Sequence, residues 1–330
     1  MGIWGISVEN LGKVNMEKKL ISIVIPIYNE ECCVVELAQR LQRVFAAESK
    51  YDFEVIAVEN GSSDQSFELL KQVRHADSRF KVLQLSRNFG ADGGVTAGLT
   101  CANGDACVII MADLQEPPEL ISEMLRKWEE GFENIYGLVT KRGGSGVIRR
   151  INSQIFYKVA GVLTGNVVTA NASDFRLVDR KVYKAVLRLD ERNRFVRGLF
   201  SWVGFRSVGV PFERPPRFGG RSKAHTRTVL SLALRGILSN SFAPLRLITI
   251  LGVLAATTAL IVLGSFAVLF FTHGVPFDGF GTLVGLNLLG FAFLALFMGA
   301  LGEYLALTYE ETKRRPNFIV RHAEGLEIGD

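Results

Sequence analysis

Asp113 and Gln115 follow an apolar run, Ala106 to Met111, and stand directly before Pro117-Pro118. The run reads as a buried strand, and the prolines forbid its continuation. One carboxylate is thereby held at the carboxyl end of a central strand, where open α/β sheets bind ligands. A carboxylate in that place can hold a divalent cation, and the cation can hold a diphosphate. Tyr28-Asn29-Glu30, Glu59-Asn60 and Arg87-Asn88 end apolar runs in the same way. A nucleotide needs a flat slot for its base, acceptors for base N–H groups or ribose hydroxyls, and a cation for its diphosphate. Pro26 and Tyr28 can form the slot, Glu30 and Glu59 the acceptors, and Asp113 with Gln115 the cation site. Taken singly, each group is as readily a helix cap or a solvated turn. The specificity lies in finding them together, in this order, at strand ends.

The elements that must position these groups follow from hydrophobic periodicity. Leu20 to Tyr28 is a β-branched apolar run, and a helix follows with Val34, Leu37, Leu41 and Val44 on one face. Phe53 to Val58 predicts a second strand and Gln65 to Arg74 a second helix. Lys81 to Leu85 predicts a third strand, and a small-residue helix begins near Gly93-Gly94. After the strand that carries Asp113, Pro117 to about Trp128 predicts a helix, with a proline in its first turn. Asn134 to Thr140 is a fifth strand. Strand and helix alternating with short links predict a mostly parallel, doubly wound sheet, with the strand ends and their polar loops along one edge. From Lys141 the pattern changes. Ala172 to Val178 and Arg206 to Phe212 are strand-like, and Arg180 to Arg188 is helical. Pro215 to Lys223 is a basic loop, and His225 to Asn240 has the opposed apolar and polar faces of an interfacial helix.

The chain has 330 residues, 48% of them hydrophobic, and a net charge of +5. The hydrophobic excess is local: Leu247 to Phe271 is an uncharged run of 25 residues and Gly279 to Gly302 one of 24. Each is long enough to cross a bilayer core of ~30 Å as a helix rising ~1.5 Å per residue. Arg246 precedes the first run, Lys313-Arg314-Arg315 follows the second, and the link Thr272 to Asp278 has no Lys or Arg. The positive-inside rule then predicts an integral membrane protein with catalytic domain and tail on the cytoplasmic side. The basic stretches Arg142 to Arg150 and Arg188 to Arg235 suit anionic headgroups or lipid phosphates. Nucleic acid is not the expected partner, because no recognised nucleic-acid motif accompanies the charge. Residues 1–19 show no apolar run of signal-peptide length, and Met16 is an alternative start. Cys32, Cys33, Cys101 and Cys107 lack paired spacing and read as buried thiols of a reducing compartment. His75, His225, His273 and His322 have no ligand spacing, and Gly-x-Gly-x-x-Gly is absent, which argues against a dinucleotide oxidoreductase.

Several stretches together resemble a known family. They are Ile23-Val-Ile-Pro-Ile-Tyr-Asn-Glu30, Val58-Glu-Asn-Gly-Ser-Ser-Asp64, Leu85-Ser-Arg-Asn-Phe-Gly90, Ala112-Asp-Leu-Gln-Glu-Pro-Pro-Glu119, Asp174-Phe-Arg176 and Arg217-x-x-Gly-x-Ser-Lys223. They look like the inverting GT-A glycosyltransferases of family 2, within these the polyprenyl-phosphate type, which includes the dolichol-phosphate-mannose-synthase-like enzymes and the O-antigen glucosyl-carrier bactoprenol glucosyltransferases. The resemblance runs from about Leu20 to about Arg315. It implies a Rossmann-like, mostly parallel GT-A domain (20–224) after a flexible extension (1–19). It also implies a juxtamembrane amphipathic helix (225–245), two transmembrane helices (within 246–308) and a cytoplasmic tail (309–330). Pro26, Tyr28, Glu30, Glu59, Asn60, Ala112 and Asp113 would hold the nucleotide. Asp113 and Gln115 would hold Mg²⁺ or Mn²⁺ on the diphosphate. Asp174 and Arg176 would line the sugar side and, with Asp113, be catalytic. Arg142, Arg149, Arg150, Ser153, Arg217, Ser222 and Lys223 would meet the lipid phosphate. The implied reaction moves glucose from UDP-glucose to polyprenyl phosphate at the inner membrane with inversion, and the resemblance implies a homo-oligomer.

The sequence departs from the family pattern in places. The usual Asp-x-Asp reads Met111-Ala112-Asp113, so one carboxylate is missing. The usual Asp-Asp-Gly-Ser reads Glu59-Asn60-Gly61-Ser62, and the usual Lys-Glu after the Asn-Phe-Gly turn reads Ala91-Asp92. An active enzyme remains the expectation, because Mg²⁺ needs only one or two carboxylates besides substrate phosphates. The alternatives are transfer to a saccharide or another lipid, and a catalytically weakened membrane scaffold.

Overall fold

Strand β1 (Leu20–Ile27) is buried on both faces beyond its first residue, as befits the middle of a parallel sheet. A computed structural model of the chain describes residues 18–142, 171–192, 194–219, 243–273 and 279–326. β2 (Asp52–Glu59), β3 (Phe80–Leu85), β4 (Ala106–Ile109), β5 (Asn134–Arg142), β6 (Ala172–Asp179), β7 (Ser207–Arg214) and β8 (Val320–Glu324) complete one eight-stranded sheet, in the order β7-β5-β6-β4-β1-β2-β3-β8. β1 pairs parallel with both β2 and β4, and β2 pairs parallel with β3. β5 and β7 are also parallel, whereas β6 runs antiparallel to β4 and β5. This is the expected mostly parallel GT-A architecture.

Alternating side chains of β1 divide the core in two. Ile21, Ile23, Ile25 and Ile27 pack under helices α1 (Glu31–Ala47), α2 (Ser66–Ala76) and α4 (Ile121–Glu129), through residues such as Leu37, Leu41, Leu70 and Trp128. Val24, with Ile56 and Leu83, faces the other side, under α3 (Gly90–Thr100), α5 (Arg180–Leu187) and α6 (Val196–Trp202). Helix α3 lies so close to the sheet that a Cβ on Gly94 would stand 3.0 Å from Pro26, and one on Gly98 would collide with Val24. The small residues of α3 are therefore a packing requirement.

The chain runs from β1 through β2 to β3, then returns past β1 to β4. Strand order reverses between β1 and β4, and that reversal opens a crevice at their carboxyl ends.

Helices α7 (Ala243–His273) and α8 (Phe280–Thr312) cover both expected spans, and α8 runs past Gly302 through Glu303, Glu310 and Glu311. Among the described residues one stretch, Leu289–Thr312, is long and apolar enough to cross a membrane, and Ile250–Val262 is a shorter apolar helix. Large apolar side chains on both are exposed, including Leu254, Ile261, Phe291 and Leu305. Apolar surface on that scale calls for a membrane or a partner.

Two expectations need revision. Cys33 and Cys107 are buried, but Cys32 is exposed on the first turn of α1 and Cys101 is half-buried at the end of α3. The chain after α8 does not merely trail away as a tail, because β8 pairs antiparallel with β3 and closes that edge of the sheet. Phe318, Val320, Ala323 and Leu326 pack on the core face that α3 covers. The interfacial helix expected at 225–245 and the extension 1–19 lie largely outside the described residues.

Candidate active site

The loops at the crevice are tied to one another by short polar side chains. Asn29 takes a left-handed φ of 51° after β1. Its N–H donates to Ser62 Oγ at 3.0 Å, and its Oδ1 accepts from the Ser63 N–H at 2.7 Å. The Glu30 N–H donates to Ser66 Oγ at 3.0 Å. Asn60 links the next loop: its Nδ2 donates to the Gly90 carbonyl at 2.8 Å and its Oδ1 accepts from the Phe89 N–H at 2.9 Å. The buried Glu59 accepts from the Ser62 N–H within its own turn. Gly61 turns with φ 74°, and a Cβ there would stand 2.6 Å from the Arg87 backbone. Glu59 and Asn60 thus hold the rim of the crevice rigid. Pro26 is buried in β1 against Gly94 of α3, which leaves the half-buried Tyr28 as the ring nearer the opening.

Glu30 after β1 and Asp113 after β4 meet across the strand-order reversal. Arg217 reaches them from the loop after β7, with Nη2 2.6 Å from Glu30 Oε1 and 3.7 Å from Asp113 Oδ2. One guanidinium therefore stands between two carboxylates that are 187 and 104 residues away from it in sequence. Asp113 also accepts from the Gln115 N–H at 3.2 Å, and Leu114 between them is left-handed with φ 56°. That tight turn brings Asp113 and Gln115 to the same lip. Oxygen donors of this kind suit a hard divalent cation. The cationic Arg217 already drawn to Asp113 and Glu30 marks the crevice as one built to hold positive charge.

Beneath this lip lies a buried cluster. Glu116 is 1% exposed, accepts from the Met111 N–H at 3.2 Å and from Ser173 Oγ, and pairs with Arg214 at 3.3 Å. Burial pushes its carboxyl above the ordinary range, against the lowering effect of Ser173 and Arg214. Glu116 thereby pins the backbone at Met111, two residues from Asp113, to β6 and β7.

Beside the crevice a cavity of about 460 Å³ opens between the start of α3, the ends of β4 and β6, and α6. Asp174 and Arg176 of β6, Met111, Asp92 and Asn317 all line it. Arg197 of α6 grips Asp174 in a bidentate pair, at 2.8 Å to Oδ1 and 2.6 Å to Oδ2. Burial alone would raise the Asp174 carboxyl, but Arg197, Arg176 and Arg214 hold it below its ordinary value. Arg176 is 3% exposed, donates to the Ser173 carbonyl at 3.3 Å and lies over the Phe200 ring. Burial lowers its pKa to about 10. Asp92, in the first turn of α3, accepts from the Val196 N–H at 3.2 Å. Burial, with the Asp174 charge added, raises its pKa to about 6.

The structure therefore brings together Glu30, Asp113, Gln115 and Arg217 at one lip, with Asp174 and Arg176 in the neighbouring cavity. Ala112 is buried beside Asp113. Arg142 ends β5 in register with Arg214 of β7. Arg149, Arg150, Ser153, Ser222 and Lys223 lie outside the described residues. Sequence reasoning did not single out Glu116, Arg197, Arg192 or Asn317. Glu116 could have been suspected from its place between Gln115 and two prolines, but the others carry no local signal.

Residues 22–187 match the model of a family described as glycosyl transferase family 2. The uncharacterized glycosyltransferase YkcC of Bacillus subtilis (strain 168) is 40% identical over 309 residues, covering 93% of this chain and 94% of that protein. The uncharacterized glycosyltransferase sll0501 of Synechocystis sp. is 40% identical over 308 residues, covering 93% and 96%. The bactoprenol glucosyl transferase of Shigella phage SfV is 32% identical over 309 residues, covering 92% and 98%.

Proposed function

This chain belongs to glycosyl transferase family 2, and on that premise we propose that it transfers one glucose from UDP-glucose to polyprenyl phosphate at the cytoplasmic face of the inner membrane, with inversion. The observation that carries the reading is the bridging of Glu30 and Asp113 by Arg217 at the strand-order reversal, beside a cavity lined by Asp174 and Arg176. Relatives named bactoprenol glucosyl transferases align over almost the whole chain and support the lipid acceptor.

In this reading Tyr28 stacks on the base, and Glu30 and Glu59 accept hydrogen bonds from the nucleoside. Asp113 and Gln115 hold a divalent cation, which when bound stabilises charge on the departing diphosphate. Asp174, oriented by Arg197, accepts from sugar hydroxyls, and Arg176 donates to them. The acceptor phosphate has a second pKa near ~6, so it arrives largely deprotonated and needs positioning more than a base. Arg217 and the basic segments around it supply that positioning. One phosphate oxygen forms a bond to the anomeric carbon as the bond to the diphosphate breaks, and a single displacement inverts that carbon.

The test incubates membranes holding the protein with radiolabelled UDP- and GDP-sugars and polyprenyl phosphate. Label in the lipid phase with UDP-glucose is the expected result, and no label with any donor rejects the function. Asp113→Asn is expected to abolish transfer while the protein stays in the membrane fraction. Full activity in that variant would remove Asp113 from the cation site.

A further inference from the structure

We propose that the chain after α8 forms one wall of the sugar subsite, and that Asn317 in it is a specificity-determining residue for the transferred sugar, positioned through Arg192. The inference rests on the reading above, in which the cavity beside Asp174 takes the sugar. The cavity has the chemistry of polyol recognition, with carboxylates at Asp92 and Asp174 to accept hydroxyl protons and a buried guanidinium at Arg176 to donate. Those groups lie on α3 and β6. Arg192 and Asn317 also line the cavity, and Asn317 arrives from beyond both apolar helices.

Four tethers fix this wall. Glu311, in the last turn of α8, accepts from the Arg192 backbone N–H with both carboxylate oxygens, at 2.9 and 3.1 Å. Arg192 Nη1 donates to the Arg315 carbonyl at 3.0 Å. Asn317 Nδ2 donates to the Glu191 carbonyl at 3.2 Å. The Ser86 N–H donates to the Ile319 carbonyl at 2.9 Å, which ties the segment to β3. On the α3 side, a Cβ on Gly93 would stand 3.2 Å from the Asn317 carbonyl oxygen, so the wall lies directly on the start of that helix. An amide offers both a carbonyl oxygen and N–H groups, the complementary pair that a sugar hydroxyl requires. Because Glu191 holds the amide by its nitrogen, its placement is set before any sugar arrives, and preorganised polar groups discriminate best.

The experiment uses full-length protein in lipid nanodiscs and compares wild type with Asn317→Ala and Arg192→Lys. Affinity for UDP is read by calorimetry, and kcat/KM is read for UDP-glucose, UDP-galactose and UDP-N-acetylglucosamine with polyprenyl phosphate. UDP affinity is expected to stay within about twofold, since none of the bonds that hold Asn317 and Arg192 reaches Tyr28, Glu30, Glu59 or Asp113. The kcat/KM for the preferred donor should fall about tenfold in Asn317→Ala, with a smaller fall for its competitors, so the preference narrows. Arg192→Lys, which removes the contact to Arg315 but keeps the backbone bond to Glu311, should move the preference in the same direction by less. Equal loss for all three donors, or an unmoved preference in both variants, overturns the inference and leaves the general function intact. A wild-type protein that binds UDP yet transfers no sugar overturns both.

Discussion

Asp92→Asn should make the protein more stable at neutral pH and less active. Asp92 sits in the first turn of α3 against the cavity, and burial with the neighbouring Asp174 raises its pKa from 3.8 to about 6. The folded state thus binds a proton more tightly than the unfolded chain does. The stability this contributes is complete below the unfolded value of 3.8 and is lost as the pH rises towards about 6. At pH 7 the carboxylate is charged in both states, and the burial penalty stands at about 3 kcal/mol by linkage. The start of a helix favours a negative charge by about 0.3–1 kcal/mol, which leaves a net penalty of about 2 kcal/mol. Asparagine has no charge to bury, and its Oδ1 can keep the bond from the Val196 N–H. Asp92→Asn should therefore raise the melting temperature at pH 7 by about 4–8 °C. At pH 4 the same linkage leaves only about 0.6 kcal/mol, so the two melting curves should nearly coincide. Fluorescence-detected melting in detergent at the two pH values measures both. A variant that melts lower than wild type at pH 7, or gains as much at pH 4 as at pH 7, would refute the reasoning. Transfer should fall in the same variant, because Asp92 lines the cavity where a sugar hydroxyl needs a strong acceptor.

Two further substitutions probe the frame around the site. Gly98→Ala places a Cβ against Val24 and 3.0 Å from Val58 Cγ2, an overpacking that should cost about 1–3 kcal/mol. Its melting temperature should fall by several degrees, and an unchanged value would mean that α3 can lift from the sheet at no cost. Glu116→Ala strips the acceptor from the Met111 N–H, Ser173 and Arg214 together, which should cost about 2–3 kcal/mol because Arg214 remains partly solvated. Glu116→Gln keeps the volume and an acceptor and should recover about half of that loss by melting temperature; equal losses in the two variants would show that the charge facing Arg214, not the acceptor at Met111, is what Glu116 supplies.

The first, second and fourth strands were legible because each is a short apolar run that gives way to polar residues, with Glu30, Glu59 and Asp113 at those ends. The same alternation puts the strand ends along one edge, so the β1 and β4 ends could be expected on one side of the sheet, though not as neighbours. What Arg217 does there could not. A loop arginine among many basic neighbours suggests a lipid phosphate, and the folded chain in addition sets it on Glu30 and near Asp113 through contacts that close over a hundred residues. β8 was invisible for a related reason. Val-Arg-His-Ala-Glu has neither the apolar density nor the clean alternation of a strand, and it becomes one because β3 offers an unpaired edge. Asn317 and Arg192 have no signature at all, since their place in the cavity depends on α8 ending against the loop between α5 and α6.

The pairing of β8 with β3 also sets a timetable for biosynthesis. β3 leaves the ribosome roughly 235 residues before its partner does, an interval of roughly 10–50 s at ordinary rates of translation. Both apolar helices emerge within it. The sheet must wait with one edge open while those helices find their place, and only afterwards can the last residues close it. Chains released short of residue 320 would keep that edge exposed and would be open to pairing with one another. Completion of the sheet is thereby tied to completion of both apolar helices.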